Sequence, residues 1–239
     1  YDAATDTWSP INEGVRCHPT VGVILAPSYA LYTHSFYEEE NKAVYDQIRG
    51  WGSCASYFFA WTYSNNFRGY TFPYNSFDAM VENARFLKSN NTQVLYDSCS
   101  WESPMLPGFM ELKKYLNSKL AVNVNIDPVY YTKKWFHDIY RDAADTMYRL
   151  YRFERAYCQS IESSYTGTVN DYQTFEDKTL WPTGLILKWQ NLCEEAMKEI
   201  EAIKDTDYYE NCYTAILLES IMPRYVMLQL HPDYYGGDE

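Results

Sequence analysis

No stretch of this 239-residue sequence reaches the ~18 consecutive apolar residues of a membrane span, and no charged-then-apolar leader opens it. An export signal, on this reading, lies upstream of Tyr1 or never existed. Positive charge is also scarce: 20 Lys and Arg stand against 32 Asp and Glu, a formal charge of −12. Such a chain repels phosphate backbones and anionic headgroups alike, so neither nucleic acid nor a membrane is an expected partner. The cluster Lys133, Lys134, Arg141, Arg149, Arg152 and Arg155 is interleaved with Asp138, Asp142, Asp145 and Glu154, as on a solvated helix face. Cys17, Cys54, Cys99, Cys158, Cys193 and Cys212 show no C-x-x-C or zinc spacing and are too sparse for a disulfide framework; buried thiols are expected, with one or two bridges allowed. Also missing are a G-x-S-x-G elbow, a glycine-rich phosphate loop and an H-E-x-x-H pair. His18, His34, His137 and His231 are scattered, so the expectation is no metal and no cofactor.

Aromatic rings are what the chain has in quantity. It carries 25 Tyr, 11 Phe and 7 Trp, 18% of residues. Flat apolar faces with polar rims suit stacking on pyranose rings, and they also build ordinary cores.

Short apolar runs at Val21 to Leu25, Tyr57 to Trp61 and Gln93 to Tyr96 predict strands buried on both faces, the habit of parallel sheets. Helical patterns alternate with them. Acidic Glu38, Glu39 and Glu40 precede Val44, Tyr45, Ile48 and Trp51 at helical spacing, with Gly50 and Gly52 marking the expected end. A second helix, capped by Asn75 or Ser76, carries Phe77, Met80, Val81, Ala84 and Leu87; a third starts near Pro107 and carries Phe109, Leu112, Leu116 and Leu120. The order strand-helix, three times over, predicts a parallel α/β fold. Beyond residue 125 only helices are expected: one from Asp127-Pro128, one over about 142–160, a long one from Thr183, and a last one over about 208–230 that Pro223 should kink or interrupt. Ser163 to Asp171 reads as a loop, and Tyr1 to Pro10 as a strand end emptying into a loop. The expected division is residues 1–125 as part of a barrel and 126–239 as a helical bundle domain. Three βα units cannot close an eight-stranded barrel, so the sheet is expected to be completed by further polypeptide.

In parallel barrels the chemistry sits at the C-terminal ends of strands. Here those ends read Ala26-Pro27-Ser28-Tyr29, Trp61-Thr62-Tyr63-Ser64-Asn65-Asn66 and Asp97-Ser98-Cys99-Ser100-Trp101-Glu102. Each offers an aromatic ring beside a hydrogen-bonding group, the requirement of a sugar subsite. Trp61, Tyr63, Asn66, Asp97 and Trp101 are the expected substrate-binding residues. Paired carboxylates for glycoside hydrolysis are not evident: Asp97 and Glu102 are the strand-end acids, and a loop separates them. His34 is read as a loop or helix-entry residue.

The run Trp61-Thr62-Tyr63-Ser64-Asn65-Asn66-Phe67, then Pro73-Tyr74-Asn75-Ser76-Phe77 and Asn83-Ala84-Arg85-Phe86-Leu87, resembles a bacterial family, domain of unknown function 4838, associated with glycoside hydrolase family 163. The likeness continues over 109–120, over 140–147, where the family tends to have Tyr-Tyr-Gly-x-Ala-Ala, and over 218–225. It implies the C-terminal part of a (β/α)8 TIM-type barrel followed by an all-helical domain. It further implies endo-β-N-acetylglucosaminidase activity on an oligosaccharide or glycoprotein glycan, outside the cell, at its surface or in the periplasm of a bacterium. The catalytic carboxylates would lie upstream of Tyr1, in an N-terminal half of the same protein, so no catalytic residue is transferred. The stretch Tyr96-Asp97-Ser98-Cys99 departs from the family, which tends to have a Gly-containing strand end there. A non-catalytic carbohydrate-binding or scaffold protein and an inactive proteolytic fragment are the alternatives.

Overall fold

The computed structural model describes residues 14–99, 106–164 and 177–236. Its first half alternates strand and helix as the sequence predicts: β1 (Gly22–Leu25), α1 (Lys42–Cys54), β2 (Tyr57–Tyr63), α2 (Phe77–Ser89), β3 (Thr92–Ser98) and α3 (Met110–Val122). Four more α-helices follow among the described residues, the last three of them longer: α4 (Pro128–Tyr140), α5 (Ala144–Ser160), α6 (Thr183–Glu199) and α7 (Tyr209–Leu230). The fold is mixed α/β with a small parallel sheet, in the order β1-β2-β3. The expected strand end at 1–10 and most of the 163–171 loop lie outside the described residues. No described helix is long and apolar enough to cross a membrane.

Two glycines are used differently from the sequence reading. α1 runs through Gly50 and Gly52 to Cys54. A Cβ at Gly52 would sit 2.7 Å from the Asn90 carbonyl oxygen, so this glycine lets α1 approach the end of α2. The start of α4, by contrast, follows the local rule. Asp127 Oδ1 accepts the backbone N–H of Val129 at 2.9 Å and of Tyr130 at 3.2 Å, and Pro128 fills the first turn, where an N–H would lack a partner. Asp127→Ala should lower stability by about 1 kcal/mol, read as a shifted urea midpoint with unchanged slope. Pro223 sits inside α7 without ending it.

Side chains alternate along β2. Phe58, Ala60 and Thr62 are buried toward the helices, while Tyr57, Phe59, Trp61 and Tyr63 point the other way and stay partly exposed. Register carries this pattern across the sheet: Ile24, Phe59 and Val94 lie side by side, as do Trp61 and Tyr96. Ile24, Tyr57, Val94 and Tyr96 are roughly half exposed or more, at 66%, 52%, 48% and 48%. Burial on both faces was expected; among the described residues only one face is covered. The buried face belongs to a continuous apolar cluster that reaches from Phe36 and Phe58 through Phe136 and Leu150 to Trp189 and Met227.

Lys113 of α3 ties the sheet to the helices. It is 1% exposed, and its Nζ donates to the carbonyls of Ser64, at 2.8 Å, and Tyr74, at 2.7 Å. These two carbonyls flank the loop that follows β2. Ser76, expected to cap α2, instead donates its hydroxyl to the same Ser64 carbonyl at 2.9 Å. The loop's two ends are thereby fixed against each other.

Candidate carbohydrate-binding rim

The loops after β1 and β2 gather aromatic rings at one end of the sheet. Tyr63 meets Tyr32 edge-on at 5.8 Å and Phe67 at 5.5 Å, and Phe67 meets Tyr70 at 5.4 Å. Trp61, two residues earlier on the same face, packs edge-on against Tyr96 with ring centroids 5.0 Å apart. The Trp61 indole Nε1 is buried and makes no hydrogen bond among the described residues. Desolvation raises the Tyr63 hydroxyl above the ordinary tyrosine value, so this group remains a donor.

Asp97 shares the rim without sharing the face. It pairs with Thr62 across the β2–β3 ladder and therefore points toward the helices, opposite to Trp61 and Tyr63. Its carboxylate is fully engaged there. Oδ1 accepts the Thr62 hydroxyl at 2.9 Å; Oδ2 accepts the Asn117 amide at 2.8 Å, the Cys99 thiol at 2.8 Å and the Ser64 hydroxyl. Burial and the Asp97 charge hold the Cys99 thiol well above the usual range, so it stays protonated as a donor. A cavity of about 30 Å³, lined by Tyr63, Thr62, Ser64, Asp97 and Asn117, lies beside this network and is the size of a single water. The arrangement locks the end of β3 to β2 and α3, so Asp97, expected to bind substrate with Trp61 and Tyr63, is held on the opposite face of the sheet from them.

Asn66, also expected to bind substrate, is engaged within its own loop. It is fully buried, and its Oδ1 accepts the N–H of Arg68 at 2.7 Å and of Gly69 at 3.2 Å, closing a turn inside the loop. Its amide shapes the loop that carries Phe67 and Tyr70. Trp101 and Glu102 lie outside the described residues.

Sequence reasoning missed two groups near the rim. In the loop after β1, His34, Glu38 and Glu40 bring one potential ligand atom each to within 4.8 Å of one another. Glu38 already accepts the Ser35 N–H at 2.6 Å, and His34 lies 3.6 Å from Glu162. His34 and Glu38 are four residues apart and Glu40 two further on, in a loop that runs into a single 3-10 turn, so no α-helical motif pointed to the group. The other is Tyr29, whose hydroxyl donates to Gln47 of α1 and fixes the turn after β1.

A family model matches residues 7–152, which takes in the whole sheet, the aromatic rim, Asp97 and most of α5. The chain belongs to the family Domain of unknown function (DUF4838). The DUF4838 match ends within α5, so α6 and α7 pack onto the matched region from outside it. Neither a curated protein nor a solved structure matches the chain.

Proposed function

We propose that this DUF4838 chain is part of a carbohydrate-active protein, a glycoside hydrolase of the endo-β-N-acetylglucosaminidase kind acting on N-acetylglucosamine-containing glycans. The observation that carries the reading is the pair Trp61 and Tyr63 on one face at the C-terminal end of a parallel strand, with Tyr96 beside Trp61. Aromatic faces with adjacent donors are what a pyranose and its acetamido group require. Tyr63 is the residue assigned to orient the acetamido group, and Asp97 and Asn66 support the rim from beneath. A barrel is part of the same reading: a bare apolar face, and edge strands β1 and β3 with no outer neighbour among the described residues, support further parallel strands, with the bare face turned to a barrel interior. Residues 1–125 would then form the barrel portion and 126–239 a helical domain, with the acids supplied by upstream sequence and the whole protein acting outside a bacterial cell.

Asp97 favours a second reading. It is the strand-end acid among the described residues, and four protein donors occupy it. A carbohydrate-binding protein that does no chemistry fits that fact equally well. The full-length protein carrying this chain should release glycans from an N-glycosylated protein, and Trp61→Ala should cut kcat/KM at least about tenfold, or ~1.4 kcal/mol. Retained glycan binding with no release would select the binding reading; unchanged kcat/KM and unchanged binding in Trp61→Ala would sink both.

A further inference from the structure

A cavity of about 710 Å³ opens between α3, α4 and α7, away from the aromatic rim, and is large enough for a small organic ligand. Three carboxylates line it, and each has a partner. Glu111 pairs with Lys114 at 2.7 Å, Asp138 pairs with Lys134, and Glu219 accepts the backbone N–H groups of Gly108 at 2.7 Å and Phe109 at 3.0 Å. Arg141 is different. Its guanidinium makes neither an ion pair nor a hydrogen bond among the described residues, and it stacks on the Tyr208 ring with its central carbon 4.3 Å from the centroid. Five N–H donors in a planar fork are thus held flat against an aromatic face, at the wall of a ligand-sized space. The backbone that presents them is strained: Arg141 has φ 51° and ψ −118°, a conformation glycine adopts easily and a residue with a Cβ does not.

We propose that this cavity binds a small molecule consisting of a carboxylate on a single ring, with the carboxylate on the Arg141 fork and the ring against Tyr208. The charges in the wall decide the sign and size of the anion. Glu111 and Asp138 are paired with lysines and Glu219 accepts two backbone N–H groups, so the Arg141 guanidinium is the group in the wall whose donors are unused among the described residues, and one fork matches one carboxylate. A phosphate would call for more donors, and the backbone amides at the start of α3 are taken by Glu219. The inference goes beyond the sugar reading of the rim and does not rest on it.

Calorimetric titration of the full chain with glucuronate and with benzoate, at up to about 10 mM, tests the site and separates a hydroxylated ring from an aromatic one. At least one of the two should bind with one-to-one stoichiometry, and N-acetylglucosamine and inorganic phosphate should not bind there. Arg141→Gly should weaken that binding at least about tenfold while raising Tm, because glycine relieves the backbone. Arg141→Lys should bind more weakly than the native chain, since the ammonium keeps the charge and loses the fork. Failure of both carboxylates to bind overturns the proposal, as does equal binding by Arg141→Gly. A lower Tm in Arg141→Gly would also overturn it, by assigning the guanidinium to the fold.

Discussion

Lys113→Ala should destabilise the protein by about 4 kcal/mol, read from urea unfolding at pH 7. Two losses add. The side chain is buried against the rings of Tyr74 and Phe77, with its nitrogen 5.4 and 5.2 Å from their centroids, and truncation empties that space. It also removes the donor shared by the Ser64 and Tyr74 carbonyls, bonds worth roughly 1.5–3 kcal/mol each when the donor is charged. Opposing this is the cost of holding an ammonium away from water. Burial lowers the Lys113 pKa to about 8, so at pH 7 the cation remains the main form and that cost is met in full by the native chain. Lys113→Met separates the two effects, because it refills most of the volume and relieves the buried charge without restoring the donors. It should recover about half of the loss. Equal stability of Lys113→Met and the native chain would mean that the carbonyl contacts contribute nothing net. The prediction also reaches the rim, since Ser64 and Tyr74 bracket the loop that holds Asn66, Phe67 and Tyr70.

What could be read in the sequence was what depends on near neighbours. The Asp127-Pro128 start of α4 needs only residues 127–130, and the strands at 22–25, 57–63 and 92–98 needed only apolar runs between turns. Trp61 and Tyr63 share a face because they are two apart in one strand, so their side-by-side placement was legible too. Asp97 was not. Which face it takes relative to Trp61 depends on how β3 slides against β2, and the ladder has an irregularity between Phe58 and Phe59 that shifts the pairing by one. Lys113 reads as an ordinary helix-surface lysine until α3 is packed against the β2 loop. Glu219 meets the start of α3 from more than a hundred residues away, and the positive φ of Arg141 has no signal in its residue type. Distance along the chain separates the two classes.

Glu219 gives the second large effect, and its sign is opposite to ordinary acid denaturation. Burial raises its pKa from 4.5 to about 7, against the pull of the Phe109 and Gly108 N–H groups and of Lys113, which favour the ionised form. A folded-state pKa above the unfolded one means that the native protein holds the extra proton between pH 4.5 and 7. Stability should therefore rise on acidification through that window, by about 3 kcal/mol in total. Glu154, on α5, is raised in the same direction by burial and by the nearby Glu219 charge, and it adds to the slope. Lys113 works at the other end: its lowered pKa makes stability climb again above pH 8. The least stable range is then about pH 7 to 8, where the carboxylates are ionised and the lysine is charged. Glu219→Gln keeps an oxygen for the two amides and removes the titration, so its advantage over the native chain should be near zero at pH 4.5 and grow to about 3 kcal/mol by pH 8. A difference between the two that stays constant across this range would show that the two N–H bonds keep Glu219 ionised throughout, and the buried carboxylate would then be a permanent anionic cap on α3.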